Sequence, residues 1–156
     1  MEIKITLFIT VLLYAAVISQ SIFYMLAMAK VMNGLSADAY IESRRLLDLN
    51  LRKNLTGLYY TTLASSIALV GFCITNPGGL LFFTAVVALI ALIADLLLIV
   101  KGNLPLNAII GTWTRSSYPA DWNKYRNRWM TVYNKRQVAN VIGFVSLIAG
   151  MVFGLA

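Results

Sequence analysis

The chain has 156 residues, 60% of them hydrophobic and 12% charged, with a formal net charge of +7; soluble domains run nearer about 45–50% apolar and about 25% charged, so lipid is the solvent this composition fits. One cysteine, Cys73, excludes a disulfide framework, and the absence of histidine excludes His-ligated haem, the common zinc and non-haem iron sites and every His-based triad. The 13 Lys and Arg fall as five from Lys30 to Lys53, seven from Lys101 to Arg136 and Lys4 alone, the pattern of membrane-flanking loops and not of the basic face of a nucleic-acid binder.

The first apolar run, residues 5–29, lies between Lys4 and Lys30 and is long enough to span with some tilt. Its start resembles a signal peptide, with Ala27-Met-Ala29 at a cleavage-like position, but the apolar run exceeds a usual h-region and an uncleaved span is expected. Asn33-Gly34 breaks the pattern, and Ser36 is a plausible N-cap with Asp38 in the first turn. The segment that follows puts Tyr40, Arg44, Leu47, Leu51, Leu55 and Leu58 on one face. It reads as a helix over 36–53 that either lies at the membrane interface or extends the second span, residues 55–75. Asn76-Pro-Gly-Gly79 is a tight turn that makes spans two and three antiparallel neighbours. The third span covers 80–100 and contains Asp95. Gly102 to Ala120 reads as loop, punctuated by Pro105, Gly111 and Pro119. Asp121 then N-caps a helix that runs toward the C-terminus; at about 1.5 Å per residue its 36 residues measure about 54 Å, so its first half projects beyond a core of roughly 30 Å and 137–156 is the fourth span. Gly150 and Gly154 form a GxxxG pair there.

The fold expected is all-α: one integral membrane domain over 1–156, a four-helix bundle with an interfacial helix in the first connection and a long fourth helix extending into the cytoplasm. The positive-inside rule places both basic connections in the cytoplasm and both termini outside, in a cell membrane that would be the inner membrane in a bacterium.

Asp95 is the one charge within the apolar core of any span, about 9 Å below the boundary marked by Lys101. An ionised carboxylate there costs a few kcal/mol unless paired. It is a structural ion pair, a protonated acid, or a catalytic or transport acid. On the wheel of residues 121–136, Trp122, Tyr125, Trp129, Val132 and Tyr133 share one face with Arg136, and Arg126 sits at its edge. Arg136 matches Asp95 in depth and is its expected partner. Lys124, Arg128 and Lys135 form a separate stripe suited to water or lipid headgroups. The aromatic face is either an interfacial belt or the roof of a pocket, with Trp122, Tyr125 and Trp129 stacking on a flat ligand.

The run Asn103-Leu-Pro-Leu-Asn107, then Trp113, Asp121-Trp122, Arg126, Arg128-Trp129 and Arg136, resembles a family of small four-span membrane proteins that includes the anthrone oxygenases. The resemblance implies a four-helix bundle and, in oxygenase-like members, oxidation of an electron-rich aromatic by dioxygen without a defined metal cofactor. Asp95 and Arg136 are the catalytic candidates, and Asn103, Asn107, Trp122, Tyr125, Arg126 and Trp129 the substrate-binding ones; no metal and no cofactor is expected. Where many members carry a histidine after the second Trp, this chain reads Val132-Tyr-Asn-Lys135. Without the resemblance, Pro105 and the two Asn explain themselves as the fixed end of the third span. Two functions follow: a membrane protein with a pocket for a hydrophobic or aromatic small molecule, or a non-catalytic accessory or scaffold subunit of a larger membrane complex. The expected partners are membrane lipid, a hydrophobic small molecule, other membrane subunits or a second copy, and no nucleic acid.

Overall fold

A computed structural model describes residues 1–155, and four helices carry almost all of them: α1 over Glu2–Gly34, α2 over Ala37–Cys73, α3 over Leu80–Gly111 and α4 over Trp122–Phe153. Each is long and apolar enough to cross a membrane. No strand forms among the described residues; Thr114 and Ser117 pair as an isolated bridge. The helices have 32 to 37 residues, which at 1.5 Å per residue makes about 48–55 Å, well beyond a hydrocarbon core of roughly 30 Å.

Short connections set the topology. Leu35 and Ser36 join α1 to α2, and the turn after α2 is closed by Asn76 N–H on Cys73 O and Gly79 N–H on Asn76 O, both 3.0 Å. Ser36 and Asp121 occupy the expected N-cap positions of α2 and α4, although neither side chain bonds a helix N–H. Both α1 and α3 pack on α2 and on α4, so the helices follow one another around a ring in chain order.

Of the two alternatives for residues 36–53, the structure has the extension of the second span: 37–53 are the first half of one unbroken helix to Cys73, with no separate element before it, since neither Gly nor Pro interrupts the chain between Leu35 and Gly57. One expectation changes. The loop predicted from Gly102 begins ten residues later, because α3 continues through Pro105 to Gly111. A π turn over Ile99–Asn103, with Leu104 N–H bonding Ile99 O five residues back, already interrupts the i→i−4 ladder. Pro105 therefore sits in the first turn of a restarted helix, where its missing N–H costs little. The true loop is held from both sides: Arg115 pairs with Glu42 of α2, and Trp113 packs edge-on to Tyr125 of α4 at 5.2 Å. The hydrogen bond to Glu42, and then its charge, push the Arg115 pKa above its ordinary value.

The interior has two apolar clusters. One, around Leu7, Val17, Leu69, Leu92 and Leu147, fills the half of the bundle nearer the Asn76 turn; the other, around Tyr24, Met32, Tyr40, Ile110 and Trp129, fills the opposite end. Helices α3 and α4 approach closely, with Ala91, Thr84 and Leu81 of α3 set against Gly143, Gly150 and Gly154 of α4. A Cβ on Gly143 would stand 1.9 Å from Tyr14 Oη, and one on Gly150 would stand 2.1 Å from Thr84 Oγ1. Gly154 of the GxxxG pair lies against the Leu81 backbone, so small residues set this spacing as they do between membrane helices generally. Phe8, Ile67, Phe83 and Ile90 point outward and are exposed.

Candidate ligand-binding site

A polar layer separates the two clusters, and Asp95 is its centre. Asp95 is fully buried and accepts from three neighbours: Arg136 Nε on Oδ1 at 2.6 Å, Tyr59 Oη on Oδ2 at 2.6 Å and Asn140 Nδ2 on Oδ2 at 3.2 Å. Arg136 spends its other donors on Asn103 Oδ1 at 3.2 Å and Tyr59 Oη at 3.1 Å. Gln20 Nε2 also donates to Tyr59 Oη, at 3.3 Å, and Asn103 Nδ2 donates to the Trp129 carbonyl at 3.2 Å. All four helices thus meet in one network around a neutral ion pair. Such a pair offsets the desolvation of its charges only when the remaining donors and acceptors are also matched, and here most are.

A second constellation lies toward the aromatic end. Asn107 Oδ1 accepts from Arg44 Nη2 at 2.9 Å and from Trp129 Nε1 at 2.8 Å, while Asn107 Nδ2 donates to Asp48 at 2.9 Å. The Arg44 guanidinium lies 4.0 Å from the centre of the Trp129 ring, which stacks on Tyr133 at 4.8 Å; Tyr24 meets Tyr133 edge-on at 4.2 Å. Cation–π contact of this kind stabilises a desolvated guanidinium.

Between the two constellations is a cavity of about 510 Å³. Arg136, Tyr59 and Asn103 form its polar floor, Arg44, Asn107 and Trp129 one wall, and Leu55 and Leu96 apolar walls. Its rim includes Phe23, Leu51, Tyr60 and Val100, all exposed apolar or aromatic side chains. The mouth is therefore framed by apolar and aromatic side chains on the outer face of the bundle. Two π turns border it, Tyr24–Met28 in α1 and Ile99–Asn103 in α3, and each adds a residue to its helix locally, a feature frequent at functional sites.

Of the residues singled out from the sequence, Arg136, Asn103, Asn107 and Trp129 line this cavity, and Asp95 stands directly behind Arg136. Trp122, Tyr125 and Arg126 are not in its lining. Arg126 instead donates to the Asn33 and Leu35 carbonyls at 3.0 and 3.3 Å, satisfying the end of α1, and lies 4.7 Å from the Trp122 ring. Trp122 packs on Tyr40 at 5.8 Å. These three lock the helix ends together. As the wheel predicts, Trp129, Tyr133 and Arg136 are buried while Lys124, Arg128 and Lys135 face outward. Sequence reasoning missed Tyr59, Asn140 and Arg44 as site groups; the signal for Arg44 was its place on the apolar stripe of α2. Among the described residues, no cluster of His, Cys, Asp or Glu could hold a metal ion.

No protein-family model, no curated protein and no solved structure matches the chain.

Proposed function

We propose that this is an integral membrane protein that takes a hydrophobic or aromatic small molecule from the lipid into the cavity between its helices. The observation that carries this reading is the combination of an apolar, outward-opening rim with a floor of hydrogen-bonded polar groups around Asp95 and Arg136. Ligand pockets have this composition, mostly apolar with a few placed polar groups. The Tyr59 hydroxyl and the Arg136 guanidinium are what the polar edge of a bound aromatic would meet; Trp129 and Tyr133 supply ring faces. The reaction class to assay there is oxidation of an electron-rich aromatic by dioxygen, which the likeness to the anthrone-oxygenase family suggests. The excess of Lys and Arg in the helix ends and loop at the aromatic end supports a cytoplasmic location for that end, with both termini and the Asn76–Gly79 turn outside. In Cys73→Ala cells, an impermeant maleimide should label Gly78→Cys and spare Ser116→Cys; the reverse pattern would invert the topology.

The second reading is an accessory or scaffold subunit of a larger membrane complex. Phe23 and Leu26, 61% and 82% exposed beside the cavity mouth, are the surface that such a partner, or a second copy, would cover. Native mass spectrometry of the untagged protein in mild detergent, with an absorbance spectrum of the same sample, separates the two. A monomer or small homo-oligomer carrying a bound small molecule supports the pocket. Recovery solely with other subunits, and with the cavity empty, overturns it.

A further inference from the structure

A second, smaller cavity of about 290 Å³ adjoins the first in the seam between α2 and α3. Arg44, Asp48 and Asn107 line both, whereas Arg45, Leu49 and Gly111 line the smaller alone. Those last three are exposed, so the smaller cavity opens to the outside of the bundle. The shared side chains form one hydrogen-bonded partition. Arg44 and Asp48 stand one turn apart on α2 without a direct ion pair, and the Asn107 amide holds both, accepting from Arg44 Nη2 and donating to Asp48 Oδ1, each at 2.9 Å. Leu47, Leu55 and Leu96 make other walls of the large cavity apolar. A partition built of a guanidinium, a carboxylate and an amide pays for desolvation that leucines would avoid. It also parts more readily where water can reach it, because both charges regain hydration as their bonds to the amide are lost.

We infer that the α2–α3 seam is a second, polar entrance to the large cavity, closed by Asn107 between Arg44 and Asp48. It admits water and small water-soluble solutes, while the apolar mouth takes the hydrophobic ligand. This rests on the pocket reading above and adds to it a route for a water-soluble co-reactant or product.

The full chain with Met32→Cys in a Cys73→Ala background carries a single thiol, at a cavity-lining position that is only 5% exposed. In phosphatidylcholine nanodiscs, where buffer meets both faces of the bilayer, its modification is timed by mass spectrometry with two reagents. One is the charged sulfonatoethyl methanethiosulfonate; the other is the neutral, lipid-soluble methyl methanethiosulfonate, whose rate is the reference for thiol reactivity. Asn107→Ala should raise the ratio of charged to neutral rates roughly tenfold. Adding Gly111→Trp should return the ratio to near its starting value, because Gly111 lines the smaller cavity alone and a Cβ there meets nothing within 4 Å. Placed by itself, Gly111→Trp should lower the ratio, which keeps the test valid if Asn107→Ala folds poorly. A ratio that neither substitution moves, or a rise with Asn107→Ala that Gly111→Trp does not reverse, overturns the inference, since the solute then enters elsewhere. In both of those cases, reaction of the thiol with the methyl reagent leaves the pocket reading standing. A thiol inert to both reagents in every variant ends the two together.

Discussion

Asp95 would be an expensive residue anywhere in an apolar helix, and its neighbours show how the cost is offset. Both carboxylate oxygens are occupied, one by Arg136 and the other by Tyr59 and Asn140. Removing one partner of a buried pair leaves the other charge uncompensated and costs about 3–5 kcal/mol, whereas removing both together costs much less. Arg136→Gln and Asp95→Asn should therefore each lower the melting temperature in detergent strongly, and the two combined should melt above at least one of the single variants. Strictly additive losses would show that the pair contributes no coupling. This contact was legible in the sequence, because Asp95 lies about 9 Å from the level of Lys101 and Arg136 sits at the base of the predicted fourth span. Tyr59 was not. It adjoins Tyr60, and nothing in the pair Tyr59-Tyr60 tells which ring turns inward; in the bundle Tyr59 is buried and Tyr60 is exposed. Arg44 was visible on the apolar face of its helix, but its partner Asn107 belonged to a segment that read as loop.

At the scale of the helix, local backbone chemistry decides where the site can be. Pro105 and Gly102 together look like a chain break, and propensity alone favours one. The π turn over Ile99–Asn103 absorbs the proline, and the bare Gly102 lets α4 approach; a Cβ there would meet Val132 Cγ1 at 2.5 Å. The helix that results carries Asn103 and Asn107 into the bundle, where a loop would have left them at its edge. Periodicity carries no mark of a π turn, so this continuation was hidden from the sequence, as was the one over Tyr24–Met28. The glycines of α4 were half visible: the Gly150–Gly154 pair stands out, whereas Gly143 stands alone and yet makes the tighter contact. Gly143→Leu would drive into the rigid Tyr14 ring and the Ala91 methyl, with an overpacking penalty of about 1–3 kcal/mol or more. Gly57→Ala, where nothing lies within 4 Å, should instead be neutral or stabilise its helix by roughly 0.5–1 kcal/mol. Thermal melts of the two proteins check this, and a Gly143→Leu variant as stable as wild type would contradict the close α3–α4 packing.

Across the whole molecule, four helices each longer than a bilayer core gather the aromatic cluster and most of the charge at one end of the bundle. The class of fold, the turn at Asn76–Gly79 and the division into four long apolar helices followed from composition and spacing, which are set by the solvent. The cavity did not, since it depends on which side chains fail to meet across the ring, and no one-dimensional pattern encodes a gap. Its mouth at the level of Tyr60 and Val100 opens among exposed apolar side chains and its floor at Arg136 reaches the polar layer, and that connection is the basis for the proposed ligand-binding function. The most direct test is photolabelling in native membranes with a small aromatic diazirine, followed by peptide mapping. The account predicts saturable adducts concentrated at Met28, Leu55 and Leu96 around the cavity, suppressed by excess unlabelled probe. Adducts spread over the outward faces at Ile67, Phe83 and Ile90, with no saturable excess at the cavity residues, would contradict it.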